Sequence, residues 1–187
     1  MTDWLEQFRE RGVHQAGHFQ LSSGLHSDTY LQCARALMDP AFADELGWAL
    51  AGAIDVDVDV VVSPAIGGVL AGFVVARALH VPFVFTERKD GVMTLRRGQS
   101  IEPGARVAIV EDVLTTGGSA REAADVIEAA GGVVVAWAAL VDRSTEDQPL
   151  PFEATSLIRV TPQVWDPSEC PLCADGVPIV SPGSRRA

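Results

Sequence analysis

The sequence predicts an α/β fold, a central parallel sheet flanked by helices, and three observations carry that expectation. Short, almost wholly apolar runs recur at 58–62, 81–86, 106–110 and 133–141, with helical patterns between them. Runs of that kind mark strands covered on both faces. The chain has 187 residues, 48% of them hydrophobic, which is enough to bury a substantial core. The run that ends at Val110 passes through two acids into a loop of threonines and glycines that opens a helix. In open α/β sheets ligands sit beyond the carboxyl ends of the strands, so chemistry is sought directly after each run.

Taken in order, Trp4–Arg11 suits a short amphipathic helix with Trp4, Leu5 and Phe8 on one face. Phe19–Leu21, the turn Ser22-Ser23-Gly24 and Thr29–Cys33 suggest a small hairpin-like element ahead of the main core. A helix is expected over 40–54, with Pro40 at its start and Phe42, Leu46, Trp48 and Leu50 along it. Strands follow at 58–62 and 81–86, with a helix over 68–79 between them. Residues 87–103 loosen into a charged stretch that reads as a mobile functional loop. The strand 106–110, a helix over 119–130 and the strand 133–141 complete the alternation. Beyond Val160 the chain turns rich in proline, and disorder is expected in the tail from Pro182. The organisation is thus one domain over 1–187, with an N-terminal segment at 1–39 and a C-terminal extension at 161–187.

A formal net charge of -11 disfavours partners such as nucleic acid or an anionic membrane. Backbone amides and a few local cations still permit a phosphate site. The apolar stretch 60–79 is interrupted by Pro64, Gly67-Gly68 and Arg77, so it reads as strand, turn and buried helix rather than a membrane span. The N-terminal residues lack a signal-peptide pattern, and three cysteines suit a reducing compartment; a cytoplasmic protein is expected.

The segment Arg106-Val-Ala-Ile-Val-Glu-Asp-Val-Leu-Thr-Thr-Gly-Gly-Ser119 carries the chemistry. The N-terminus of the following helix offers unpaired amides and a positive dipole end, and Gly117 and Gly118 let a phosphate approach the backbone. The hydroxyls of Thr115, Thr116 and Ser119 can complete its hydrogen bonding, with Val113 and Leu114 leading into the loop. Glu111 and Asp112, when ionised, only accept hydrogen bonds, and so suit the adjacent hydroxyls of a ribose. A plain capped helix with solvated acids is the competing reading.

This stretch resembles the phosphoribosyl pyrophosphate signature of the type I phosphoribosyltransferases. Over nearly all its length the chain is similar to orotate phosphoribosyltransferases, through His18–Gly24, Ser63–Gly68, Glu87–Lys89 and Asp142-Arg143. The resemblance implies a type I phosphoribosyltransferase fold with a small N-terminal hood, including Tyr30 and Leu31, over the base. It implies that Ala65, Ile66 and Gly67 hold pyrophosphate through backbone amides, with Ala65-Ile66 as a non-proline cis peptide. Arg88 and Lys89 match the basic pair at the entry of the mobile loop, and the resemblance implies that Lys89 is the catalytic cation and that the loop is shared between the subunits of a homodimer. Arg143, with Thr115, matches the contact to orotate, for which a planar guanidinium is suited. Mg²⁺ is the implied cofactor, held mainly through the substrate rather than by protein ligands. Many members carry lysines where this chain has Ser22 and Gly67, and the loop lacks their later lysine and histidine. Arg96 and Arg97 are candidates to replace that charge.

Other readings stay open: a phosphoribosyltransferase for another base, or a non-catalytic regulator that senses phosphoribosyl pyrophosphate. A kinase-like phosphate loop is disfavoured, because Gly-x-x-x-x-Gly-Lys-Ser/Thr is absent. Cys170-Pro-Leu-Cys173 has the spacing of a zinc half-site, but Cys33 is distant and His14, His18, His26 and His80 show no ligand spacing. A plain turn with two thiols is expected there, a metal shared across a dimer being the alternative. Trp48 and Trp137 are expected in the core, and Trp165 at a subunit contact.

Overall fold

The structure is a computed structural model that describes residues 2–21 and 23–182. In chain order it runs α1 (Trp4–Glu10), β1 (His14–Gln20), β2 (His26–Leu31), α2 (Cys33–Ala36), α3 (Pro40–Ala51), β3 (Val60–Pro64) and α4 (Gly68–Leu79). There follow β4 (Phe83–Lys89), β5 (Val92–Leu95), β6 (Arg106–Leu114), α5 (Gly118–Ala129), β7 (Val133–Asp142), β8 (Thr155–Arg159), β9 (Val164–Trp165) and α6 (Pro171–Ala174). These elements divide into two compact units: 1–36 together with 161–187, and 37–160.

In the larger unit the strand order is β5-β4-β3-β6-β7-β8, parallel throughout except for β5, which runs antiparallel along β4. The two central strands are apolar on both faces because helices cover both. Val60, Val62, Val107 and Ile109 join Ala120, Ala124 and Ile127 of α5 in one cluster. Their alternate neighbours Val61, Ala108 and Val110 are equally buried and face the side where α3 and α4 pack. Asp39 caps α3 by accepting the amide of Ala41 at 3.0 Å, and Pro40 stands at the first turn. Gly47 lets α3 approach α4 closely, since a Cβ there would meet the carbonyl of Val74 at 2.7 Å. Phe42, Leu46 and Leu50 are buried along α3 as expected, but Trp48 is 56% exposed. The correction follows from helical periodicity: Trp48 lies off the stripe of 42, 46 and 50, and its ring meets His80 edge-on.

Strand limits differ from the sequence reading for identifiable reasons. β3 starts at Val60 rather than Val58 because Asp59 turns to Arg106, accepting its amide at 2.8 Å and its guanidinium at 3.0 Å. β6 continues to Leu114 because β7 pairs with it as far as Leu114↔Asp142, so the two acids lie on a strand rather than after it. The charged stretch after residue 86 is not wholly irregular. β4 runs on to Lys89 and turns back as β5 through Asp90 and Gly91, at φ 52 and 83. Two consecutive positive φ values at Asp-Gly mark a two-residue turn whose twist suits a hairpin. β8 was not foreseen; it is a short edge strand supported by pairing with β7.

The smaller unit holds a three-stranded sheet, β1-β2-β9. β1 and β2 form the foreseen hairpin, but β1 begins at His14, with a bulge between Ala16 and Phe19. Val180 pairs with this hairpin, its amide donating to the carbonyl of His18 at 2.8 Å. The expectations for Ser22 and for the tail beyond Pro182 lie outside the described residues.

Candidate active site

The site is built where β3 and β6 end side by side. After β3 comes the turn Ala65-Ile66-Gly67, and the Ala65–Ile66 peptide is cis, at the position expected. Ile66 is 89% exposed, so the turn presents backbone rather than a packed side chain. The acids of β6 lie against this turn. A Cβ built on Gly67 would stand 2.8 Å from Oδ1 of Asp112, and one on Gly68 would stand 2.7 Å from Oε2 of Glu111. The space for a side chain at 67 is thus taken by the carboxylate of Asp112.

Glu111 is only 8% exposed. Burial, and then the neighbouring charge of Asp112, push its carboxyl up to about 8. Burial also raises Asp112, against the amide of Val113, which favours its charged form. At neutral pH Glu111 is therefore held mainly protonated, and a protonated carboxyl can donate as well as accept.

Glu111 also lines a cleft with residues 113–120. Thr115, Thr116, Gly118 and Ser119 are exposed there, while Gly117 is buried beneath them. Gly117 sits at φ 74, and a Cβ on it would meet Phe152 at 2.8 Å. Both constraints require glycine. The floor of the loop is layered: Phe152 stacks on Trp137 at 3.8 Å with 9° between the rings, and the guanidinium of Arg121 lies 5.6 Å from the Trp137 ring centre. Trp137, expected in the core, is half-buried and packs against the edge of the core cluster beneath the loop. Neither Phe152 nor this stack was foreseen, and no local signal in the sequence joins residue 152 to residue 117.

Arg143 is brought to the same place, because its amide donates to the carbonyl of Leu114 at 2.8 Å. The cations of the hairpin are held elsewhere. Arg88 pairs with Glu122 on α5 at 2.6 Å, while Arg96 and Arg97 share Glu87 at 3.3 and 3.1 Å. Among the described residues no hydrogen bond or ion pair joins Arg88 or Lys89 to 111–119. The turn at 65–67, the two acids, the loop 113–119 and Arg143 are therefore assembled, and the basic pair stands apart from them.

The smaller unit supplies a second constellation. His18 and His26, which showed no ligand spacing in sequence, meet Cys170 and Cys173. His18 lies within the β1 bulge, and its Nε2 reaches Nδ1 of His26 across the hairpin at 3.0 Å. Pairing of β1 with β2 was foreseeable; the return of the C-terminal segment to that face was not.

Comparison with known proteins agrees with this geometry. The phosphoribosyl transferase domain family matches residues 39–171. An orotate phosphoribosyltransferase of a Nitratiruptor species is 50% identical, over 95% of this chain and 96% of its own. Among solved structures, the orotate phosphoribosyltransferase from Aeropyrum pernix aligns with a TM-score of 0.65 at 25% identity, covering 83% of this chain and 92% of that one. The Mycobacterium tuberculosis orotate phosphoribosyltransferase, solved in complex with 5-phospho-α-D-ribosyl 1-diphosphate, aligns with a TM-score of 0.61 at 27% identity, over 80% and 90%.

Proposed function

The chain belongs to the orotate phosphoribosyltransferase family, and from that premise we infer that it transfers the phosphoribosyl group of phosphoribosyl pyrophosphate to orotate. The products are orotidine 5′-monophosphate and pyrophosphate, in pyrimidine biosynthesis. The observation that carries this reading is the meeting of an acid pair, Glu111 buried and Asp112 half-buried, with the backbone turns 65–67 and 115–119.

In this reading the amides and hydroxyls of 115–119 take the 5-phosphate at the start of α5. Glu111 and Asp112 take the ribose hydroxyls and, in their ionised forms, favour positive charge on the ring as the bond from the anomeric carbon to pyrophosphate lengthens. The turn 65–67 receives the departing pyrophosphate through backbone amides. Arg143 and Thr115 orient orotate, whose ring nitrogen forms the new bond to the anomeric carbon as pyrophosphate leaves. Arg88 and Lys89 serve the pyrophosphate, Lys89 as the catalytic cation that stabilises the leaving charge. That role requires the hairpin to move or the pair to act on a partner subunit's site. A homodimer fits the apolar side chains of Leu70, Phe73 and Trp48, which α4 and α3 leave exposed.

Mg²⁺ fits this site as a substrate-borne ion. At the cleft only the adjacent pair Glu111 and Asp112 offers carboxylates, and among the described residues the only group of three or more metal-binding side chains lies in the other unit. Held through the substrate beside Glu111 and Asp112, the ion would supply positive charge that offsets the negative charge of the departing pyrophosphate. A cytoplasmic location suits the reading, and no described helix is long and apolar enough to cross a membrane.

The test is direct. Orotate absorbance should fall when enzyme, Mg²⁺ and phosphoribosyl pyrophosphate are mixed, and should not fall without any one of them. Turnover of adenine or uracil in place of orotate would overturn the assignment of the base.

A further inference from the structure

We propose that His18, His26, Cys170 and Cys173 form a closed four-ligand zinc site that ties the C-terminal segment to the N-terminal hairpin. The four ligating atoms all lie within 4.8 Å of one another. Nε2 of His18 and Nδ1 of His26 are 3.0 Å apart. Sγ of Cys170 is 3.5 Å from the His18 nitrogen, and Sγ of Cys173 is 3.7 and 3.3 Å from the His18 and His26 nitrogens. A tetrahedron with Zn–N of about 2.0–2.1 Å and Zn–S of about 2.3 Å has edges of roughly 3.4 Å between nitrogens and roughly 3.6 Å from nitrogen to sulfur. These four spacings match the corresponding edges to within a few tenths of an ångström, and the remaining two lie within 4.8 Å.

The orientation of the rings gives a second, independent indication. Nδ1 of His18 lies 2.8 Å from the carbonyl oxygen of Val177. A carbonyl only accepts, so Nδ1 carries the hydrogen and Nε2 turns its lone pair toward His26 and the two sulfurs. A backbone acceptor that fixes the tautomer of a ligating histidine is the usual support around a metal.

The backbone brings the four together from three directions. His18 and His26 face the same way across the β1–β2 ladder, and Trp165 of β9 pairs with His26 on the other side of β2. The chain then needs only five residues to bring Cys170 back to that point, and one turn of α6 adds Cys173. His18, His26 and Cys170 are buried, with relative exposures of 3%, 6% and 3%.

Four protein ligands leave no position for water, so the role is structural. Two sulfurs and two imidazoles form a soft donor set that selects zinc over magnesium, which separates this site from the ion carried by the substrate. Binding releases the two thiol protons and gives a site of zero net charge from Zn²⁺, two thiolates and two neutral imidazoles. The ion closes the chain between residues 152 apart, beside the pairing of Val180 with β1.

The experiment is metal analysis of the full-length protein, purified in the presence of excess Mg²⁺, with thiol titration before and after a zinc chelator. About one zinc per chain is expected, with Cys170 and Cys173 unreactive until the chelator is added. Cobalt substituted into the stripped protein should give the d–d bands of a tetrahedral site and a thiolate charge-transfer band. That readout needs no variant. Cys173→Ser and His26→Ala should each lower zinc affinity by at least an order of magnitude. The proposal is overturned if stripped protein given equimolar zinc stays metal-free, if Cys170 and Cys173 form a disulfide in the freshly purified protein, or if cobalt binds without a thiolate band.

Discussion

The segment 106–119 and the hairpin 83–95 both carry residues assigned to the same anionic substrate, and they are built in opposite ways. In the first, the functional groups stand on the central strand, with Glu111 buried and Gly117 walled by Phe152. In the second, the cations stand on an edge hairpin and directly after it, where Arg88 is occupied by Glu122 and Arg96 and Arg97 by Glu87. The core holds the acid pair and the loop 113–119 in place without any ligand. The cations are held only by exposed ion pairs, each worth about 1 kcal/mol or less, so their release costs little. A site that must admit a highly charged substrate and then enclose it is served by one fixed side and one exchangeable side.

The sharpest way to break this contrast is Lys89→Ala. If the hairpin delivers the catalytic cation, turnover should fall by about 10²- to 10³-fold, the scale of losing one stabiliser of transition-state charge. Orotate binding and thermal stability should stay close to wild type, because Lys89 is exposed. Unchanged turnover would remove the hairpin from the mechanism.

The next effect belongs to the fixed side. The Glu111 carboxyl is raised from an ordinary 4.5 to about 8 in the folded protein. Between those values the folded chain holds a proton that the unfolded chain has released, so stability falls as pH rises through that window. The whole span corresponds to on the order of a few kcal/mol. Glu111→Gln cannot lose a proton and should flatten that fall. Urea unfolding of both proteins at roughly pH 5 and pH 9 measures it, and parallel slopes would show that Glu111 ionises normally.

The same contrast decides what could be read from sequence. The alternation of buried strands and helices, the acid pair and the Thr-Gly loop were all legible, since each is local and follows from burial or backbone geometry. The cis peptide was located at Ala65–Ile66 only through the family resemblance. The hairpin was missed although Asp90-Gly91 is a hairpin signal, because the charges around it read as a loop. Phe152 under Gly117, and His18 and His26 against Cys170 and Cys173, were not legible, since each joins segments distant in the chain. Trp48 was misplaced because its apolar character was weighed above its position on the helix.

Two glycines sharpen the contrast further. Gly117 and Gly91 both have positive φ, 74 and 83, but a Cβ on Gly117 meets Phe152 whereas nothing stands within 4 Å of one on Gly91. Each alanine substitution incurs about 1–2 kcal/mol for the left-handed backbone. Only Gly117→Ala also displaces the floor of the loop 113–119, so if that loop takes the 5-phosphate, the KM for phosphoribosyl pyrophosphate should rise about tenfold, on the scale of 1.4 kcal/mol. Gly91→Ala should leave that KM near wild type. Equal effects from the two would show that the wall behind Gly117 is unimportant.

The smallest effect expected is that of removing Arg96 and Arg97 together. Both are paired with Glu87, yet their side chains are 42% and 64% exposed, so the pairs contribute less than about 1 kcal/mol to stability. The melting temperature of the double alanine variant should therefore barely move. If these arginines leave Glu87 to meet pyrophosphate, the KM for phosphoribosyl pyrophosphate should rise about fivefold, or roughly 1 kcal/mol. The orotate KM should stay constant. Because the structural contribution is so small, a change in that one constant reports contact with substrate and not damage to the fold. An unchanged constant would mean that Glu87 keeps both guanidiniums throughout turnover, leaving Arg88 and Lys89 as the hairpin's whole contribution.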